Sequence, residues 1–145
     1  MDPGTLRSVE LAEVVEVGRG IDLSACRYRS NHDAPTPPYY HLLAGLVRVT
    51  GATRILEIGT FHGGATMSMA LGVDPAADRH DVQIATVDVV RRNDPGFADF
   101  PHVHRVISDS LARSTGDGVV DHFDQHIDLL FVDSGHDYRQ AFENV

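Results

Sequence analysis

The sequence predicts an α/β fold built on a parallel sheet with both faces covered. Two observations carry this. From Gly51 onward short apolar runs alternate with helical stretches, the pattern of βαβ units. The clearest of those runs, Leu129-Leu130-Phe131-Val132, is apolar without alternation, as a strand buried on both faces is. With 145 residues, 42% of them hydrophobic and 23% charged, the chain is long enough for one such domain and too short for two.

The elements follow in order. Leu6, Val9, Ala12 and Val15 stand at helical spacing between Thr5, a candidate N-cap, and Gly18, a candidate stop, so a helix is expected over 5–17. Residues 20–38 are polar and turn-rich, ending in Asn31-His32-Asp33-Ala34-Pro35-Thr36-Pro37-Pro38, and read as a lid or linker. A second helix is expected over 39–50, with Leu42, Leu43, Leu46 and Val47 on one face and Gly51 at the left-handed C′ position. The first strand is Arg54 to Gly59, the next helix Gly64 to Leu71, and the second strand Gln83 to Val89. A polar loop holding Arg91, Asn93, Asp94, Pro95 and Gly96 leads to a third strand, Val103 to Ile107. A helical region over 110–126, broken by Gly116 and Gly118, precedes Ile127 to Asp133, the clearest buried strand of the chain. Helix residues resume near Asp137 and run to Val145 without a stop signal, so the sequence reads as cut. The organisation is therefore an N-terminal helix and linker over 1–38 and a sheet-forming unit over 39–145.

Composition narrows the function. The formal net charge is −9, and all 12 basic residues are arginine. Without a clustered basic stripe there is no footprint for nucleic acid. No apolar run is long enough for a membrane span, and the first ten residues lack a signal-peptide pattern. Cys26 is the single cysteine, which excludes an internal disulfide and a cysteine-built zinc site and suits a reducing, cytoplasmic setting.

The sharpest motif is Glu57-Ile58-Gly59-Thr60-Phe61-His62-Gly63-Gly64 at the turn from strand to helix. Glycines there let a ligand approach the backbone, and the helix beyond presents unpaired N–H donors. A dinucleotide fingerprint would need glycine where Phe61 stands. A phosphate-binding loop would need lysine where Ala65 stands, and the chain contains no lysine at all. What remains is a turn with an acid two residues before its first glycine, Glu57, and another at the end of the next strand, Asp88. An acid at the end of the second strand accepts ribose hydroxyls in nucleotide folds generally, which makes Asp88 a candidate for that role. An aspartate at a strand end also caps helices, so for Asp88 both readings stand open.

ILEIGTFHGGATMSMA, IATVDVV, VISDSL and IDLLFVDSGHDYRQ, in that order, resemble the first half of a class I methyltransferase using S-adenosylmethionine. Within that superfamily the chain is most similar to the catechol and sugar O-methyltransferase groups, over about residues 39 to 145. The resemblance implies a Rossmann-like, doubly wound sheet of strand order 3-2-1-4-5-7-6, of which strands one to four are present. It implies that Glu57 with the Gly59 and Gly63 backbone holds the methionine portion, that Thr60 and Asp133 also bind the cofactor, and that Asp109 and Ser110 border the adenine. Phe61, with Tyr39 and Tyr40, either walls the cofactor or packs in the core. At Ala65 the catechol enzymes carry a serine that touches the cofactor, so that contact is absent or passes to Thr66.

Asp133 closes the fourth strand at the mouth of the site, where open α/β sheets place ligands. By resemblance to the sugar enzymes it binds Mg²⁺, and His136 is the general base that takes a proton from an acceptor hydroxyl. The rival reading makes Asp133 a helix cap and His136 a surface residue. The expected activity is O-methylation of a small-molecule hydroxyl, of a sugar or phenol; the alternative is a truncated, inactive cofactor-binding module. Strand four, left as an apolar edge, invites cover by a second copy of the chain. His122 and His126 stand at i and i+4 but lack the glutamate of a zinc-protease helix, and are read as a solvated face.

Overall fold

A computed structural model describes residues 8–26, 36–89, 96–109, 123 and 126–133. Its helices are α1 (Leu11–Arg19), α2 (Pro38–Thr50) and α3 (Gly64–Gly72), and its strands β1 (Arg54–Ile58), β2 (Gln83–Asp88), β3 (Val103–Ile107) and β4 (Leu129–Val132). A short 3-10 helix, Gly96–Asp99, precedes β3. The four strands form one sheet of order β3-β2-β1-β4, and every neighbouring pair is parallel. The α/β fold with a Rossmann-like parallel sheet expected from the apolar runs is the observed one.

Strand alternation divides the core. Ile55 and Ile84 face α2 and α3 and pack with Leu43, Val47, Met67 and Met69. Leu56, Ile58, Ala85 and Val87 face the other way and pack around the fully buried Phe123.

Glycines set how closely the helices approach. A Cβ on Gly18 would lie 2.0 Å from the His41 carbonyl oxygen, and one on Gly45 would lie 2.1 Å from that of Val14. Here α1 therefore crosses α2 backbone against backbone. This corrects two expectations about α1. Gly18 is buried within the helix rather than ending it, because the crossing needs a residue without a side chain. The helix also starts at Leu11, after the extended Glu10, so 8–10 are not helical; Thr5 lies outside the described residues.

Elsewhere the boundaries shift little. Gly51 has φ 69 and caps α2 as its position predicted. At the same end of the helical layer, Arg48 Nε donates to the Gly72 carbonyl at 2.8 Å and Nη2 to that of Val73 at 3.0 Å, so a cation satisfies the last carbonyls of α3. The fourth strand is shorter and wetter than its apolar run suggests, with Leu130 40% exposed. The reason is position: among the described residues β4 has a strand on one side only. Asp128, expected inside that strand, instead precedes it and accepts the Thr53 and Arg54 N–H groups on Oδ2, each at 2.9 Å.

Candidate active site

Parallel pairing brings the carboxyl ends of the strands to one edge. Ile58 stands opposite Val87 and Val132, so Gly59, Asp88 and Asp133 follow side by side. The direction of winding also reverses here, since β2 and β3 lie on one side of β1 and β4 on the other. A crevice at such a switch point is where open α/β sheets bind ligands.

The turn over this edge is locally determined. Gly59 has φ 103 and Gly63 φ 79, conformations that side-chain-bearing residues rarely adopt. The Gly59 N–H donates to the Val87 carbonyl at 2.8 Å, and the Gly63 N–H donates to that of Thr60 at 2.7 Å, closing the turn. Phe61 is the only non-glycine with positive φ among the described residues, at 46°. Its N–H donates to Asp88 Oδ2 at 2.8 Å, and its ring, 58% exposed, stands beside that of His62. Phe61 and Tyr39 are thus exposed, and the core-packing alternative fails for both; only Tyr40 packs partly against the core. Gly63 at the N-cap of α3 has no side chain to satisfy the helix's first N–H groups.

Beneath the turn lies Glu57, with no exposed surface. Its Oε2 accepts the hydroxyls of Thr66 and of Thr86, the latter at 2.5 Å, while Oε1 is buried without a partner. Burial pushes this carboxyl up to about 7; the two hydroxyls oppose that shift, and the charges of Asp133 and Asp88 add to it.

Gly59, Thr60, Phe61, Gly63, Asp88 and Asp133 lie together at this edge, whereas Glu57, expected to hold the methionine portion, is buried beneath the turn and does not reach the surface. Asp109, exposed after β3, lies on the same edge farther out, where the Ser108 N–H donates to the Asp88 carbonyl at 3.0 Å. Ser110 and His136 lie outside the described residues, as does His122. His126 is half exposed and meets Asp128 Oδ1 at 2.8 Å, at the opposite end of β4. Thr86 is the residue sequence reasoning missed. Its signal was a lone hydroxyl in the apolar strand Ile84-Ala85-Thr86-Val87, but only the register sets it opposite Glu57.

An open parallel sheet with a glycine turn, a helix N-terminus and flanking carboxylates at its switch point is a Rossmann-like arrangement. Residues 56–145 match a family described as Methyltransferase domain, and the chain belongs to that family. Methyl transfer is the chemistry of such domains. No curated protein matches the chain.

Proposed function

We propose that the chain binds S-adenosylmethionine over the Gly59 to Gly63 turn and methylates a hydroxyl of a small molecule, a sugar or a phenol. The observation that carries this is the charge pattern of the turn: three exposed or edge carboxylates, Asp88, Asp109 and Asp133, and no lysine, around a close backbone approach. A phosphate ligand would be repelled there, whereas a sulfonium with an ammonium is attracted. The donor set fits the rest of the molecule too. The free N–H groups of the first turn of α3 suit its carboxylate, and Asp88 at the end of β2 suits its ribose.

When bound, this cofactor supplies a methyl group on a positively charged sulfur. Transfer to an acceptor oxygen would break the carbon–sulfur bond and leave its electron pair on sulfur. On the reading of the DSGHDY segment, His136 takes the proton that the acceptor hydroxyl loses. Asp133 alone is at most one of the ligands Mg²⁺ takes, and no group of three metal-capable side chains converges among the described residues. No step is therefore routed through a metal. Among the described residues no helix is long and apolar enough to cross a membrane, and the buried thiol of Cys26 suits a cytoplasmic enzyme.

Thermal melting with S-adenosylhomocysteine tests the reading. A ligand that binds only the folded chain raises the midpoint by mass action. A cooperative melt that millimolar ligand leaves unmoved would sink it.

A further inference from the structure

Glu57, the penultimate residue of β1, is fully buried on the sheet face that carries Ile55 and faces α3, where it meets Thr66. A leucine would suit that face better, since a buried carboxyl with an unpartnered oxygen lowers stability. The geometry around it shows what the carboxyl does there. Thr86 donates its one hydroxyl proton to Glu57 Oε2, so at the 2.7 Å contact between Thr86 and Thr60 the donor is Thr60. The protons therefore run from Thr60 through Thr86 to Glu57, and from Thr66 to the same oxygen. Thr60 opens the glycine turn, and its carbonyl accepts the Gly63 N–H; Thr66 lies in the first turn of α3. Both sides of the turn hang on one carboxyl that does not itself reach the surface.

We infer that Glu57 is the positioning residue of the glycine turn, holding its start through Thr86 and the helix behind it through Thr66, so that the charge on this carboxyl and the affinity of the turn for ligand are coupled. The inference rests on the turn being the cofactor site. Of the elements around Glu57, β2 brings Asp88 and the end of β4 brings Asp133, both acidic, while α3 carries no charged residue. With burial pushing Glu57 up to about 7, its charge changes in the neutral range, and the ionised form is the stronger acceptor for both threonines. A cationic ligand over the turn favours that form.

The test uses the full chain with carbon-13 glutamate, followed by NMR from pH 5 to 9 (on the order of two units either side of the group's midpoint). A His62→Gln background removes the turn's own imidazole. The Thr60 and Gly63 amide signals are expected to titrate with the Glu57 carboxyl. Thr86→Val should uncouple them and weaken S-adenosylhomocysteine binding by about ten-fold, the loss of one good hydrogen bond. Thr86→Ser should restore both. The inference is overturned if Thr86→Val leaves tracking and affinity unchanged, or if Thr86→Ser behaves like valine. Should Thr86→Val not fold, Glu57→Gln serves instead: neutral-range titration of Gly63 that survives it overturns the inference. Coupled signals in a chain that does not bind S-adenosylhomocysteine would defeat the cofactor reading and leave the positioning role standing; binding without coupling would do the reverse.

Discussion

The backbone N–H of Phe61 donates to the carboxylate of Asp88 at 2.8 Å, joining the glycine turn to the end of the neighbouring strand. Phe61 holds φ 46, a conformation that costs a residue with a side chain about 1–2 kcal/mol, and this charged bond helps offset it. Asp88 thus serves the turn as well as any ribose it meets.

Removing the acceptor separates those duties. Asp88→Ala should weaken S-adenosylhomocysteine binding by roughly ten-fold to a hundred-fold, since a hydrogen bond to a charged group is worth about 1.5–3 kcal/mol. Asp88→Asn, which still accepts from Phe61, should recover part of it. Isothermal titration of both variants checks this, and equal affinities for Asp88→Ala and the unaltered chain would contradict it.

Glu57 makes stability depend on pH in an unusual direction. Its carboxyl is raised from 4.5 to about 7 in the folded chain, so between these values the native state keeps a proton that the unfolded state has lost. Stability from this group is present at low pH and falls as pH rises toward 7. Urea unfolding of Glu57→Gln should lack that decline.

Asp128 works in the opposite sense. Burial would raise its carboxyl, but the Thr53 and Arg54 N–H groups and His126 outweigh burial and hold it below its ordinary 3.8. Its stabilisation is present above about pH 4 and disappears as pH falls through the lowered value. The gap in melting midpoint between Asp128→Ala and the unaltered chain should therefore be larger at pH 7 than in acid, and should shrink as pH falls below the ordinary carboxylate range.

The crossing of α1 and α2 tolerates no Cβ. Gly45→Ala should destabilise by about 1–3 kcal/mol, the usual cost of overpacking, because the backbones must separate. Gly51→Ala, at φ 69 but with open space around it, should cost only about 1 kcal/mol. Chemical denaturation orders the two.

His136→Ala should keep S-adenosylhomocysteine affinity and lose about a hundred-fold or more in turnover, the range for a general base. Unchanged turnover in a methyl-transfer assay would remove His136 from that role.

The strands were legible because buried parallel strands announce themselves as apolar runs: Val103–Ile107 was read to the residue, and Arg54–Ile58 and Gln83–Asp88 to within one. Gly18 was misread because a glycine that ends a helix and one that lets two helices touch look alike in one dimension. For Phe61 the sequence left a cofactor wall and a core position both open, and only the fold, which leaves it exposed at positive φ, decides against the core.

Periodicity and backbone permissiveness are local properties, so the sheet, the glycine turn and the acids beside it can be read from the residues in order. Tertiary structure decided what those acids touch. Register sets Thr86 across from Glu57, and the turn folds the Phe61 N–H back onto Asp88. Such contacts join residues 27 or 29 positions apart, and which of them form depends on how the strands align and the helices pack above them.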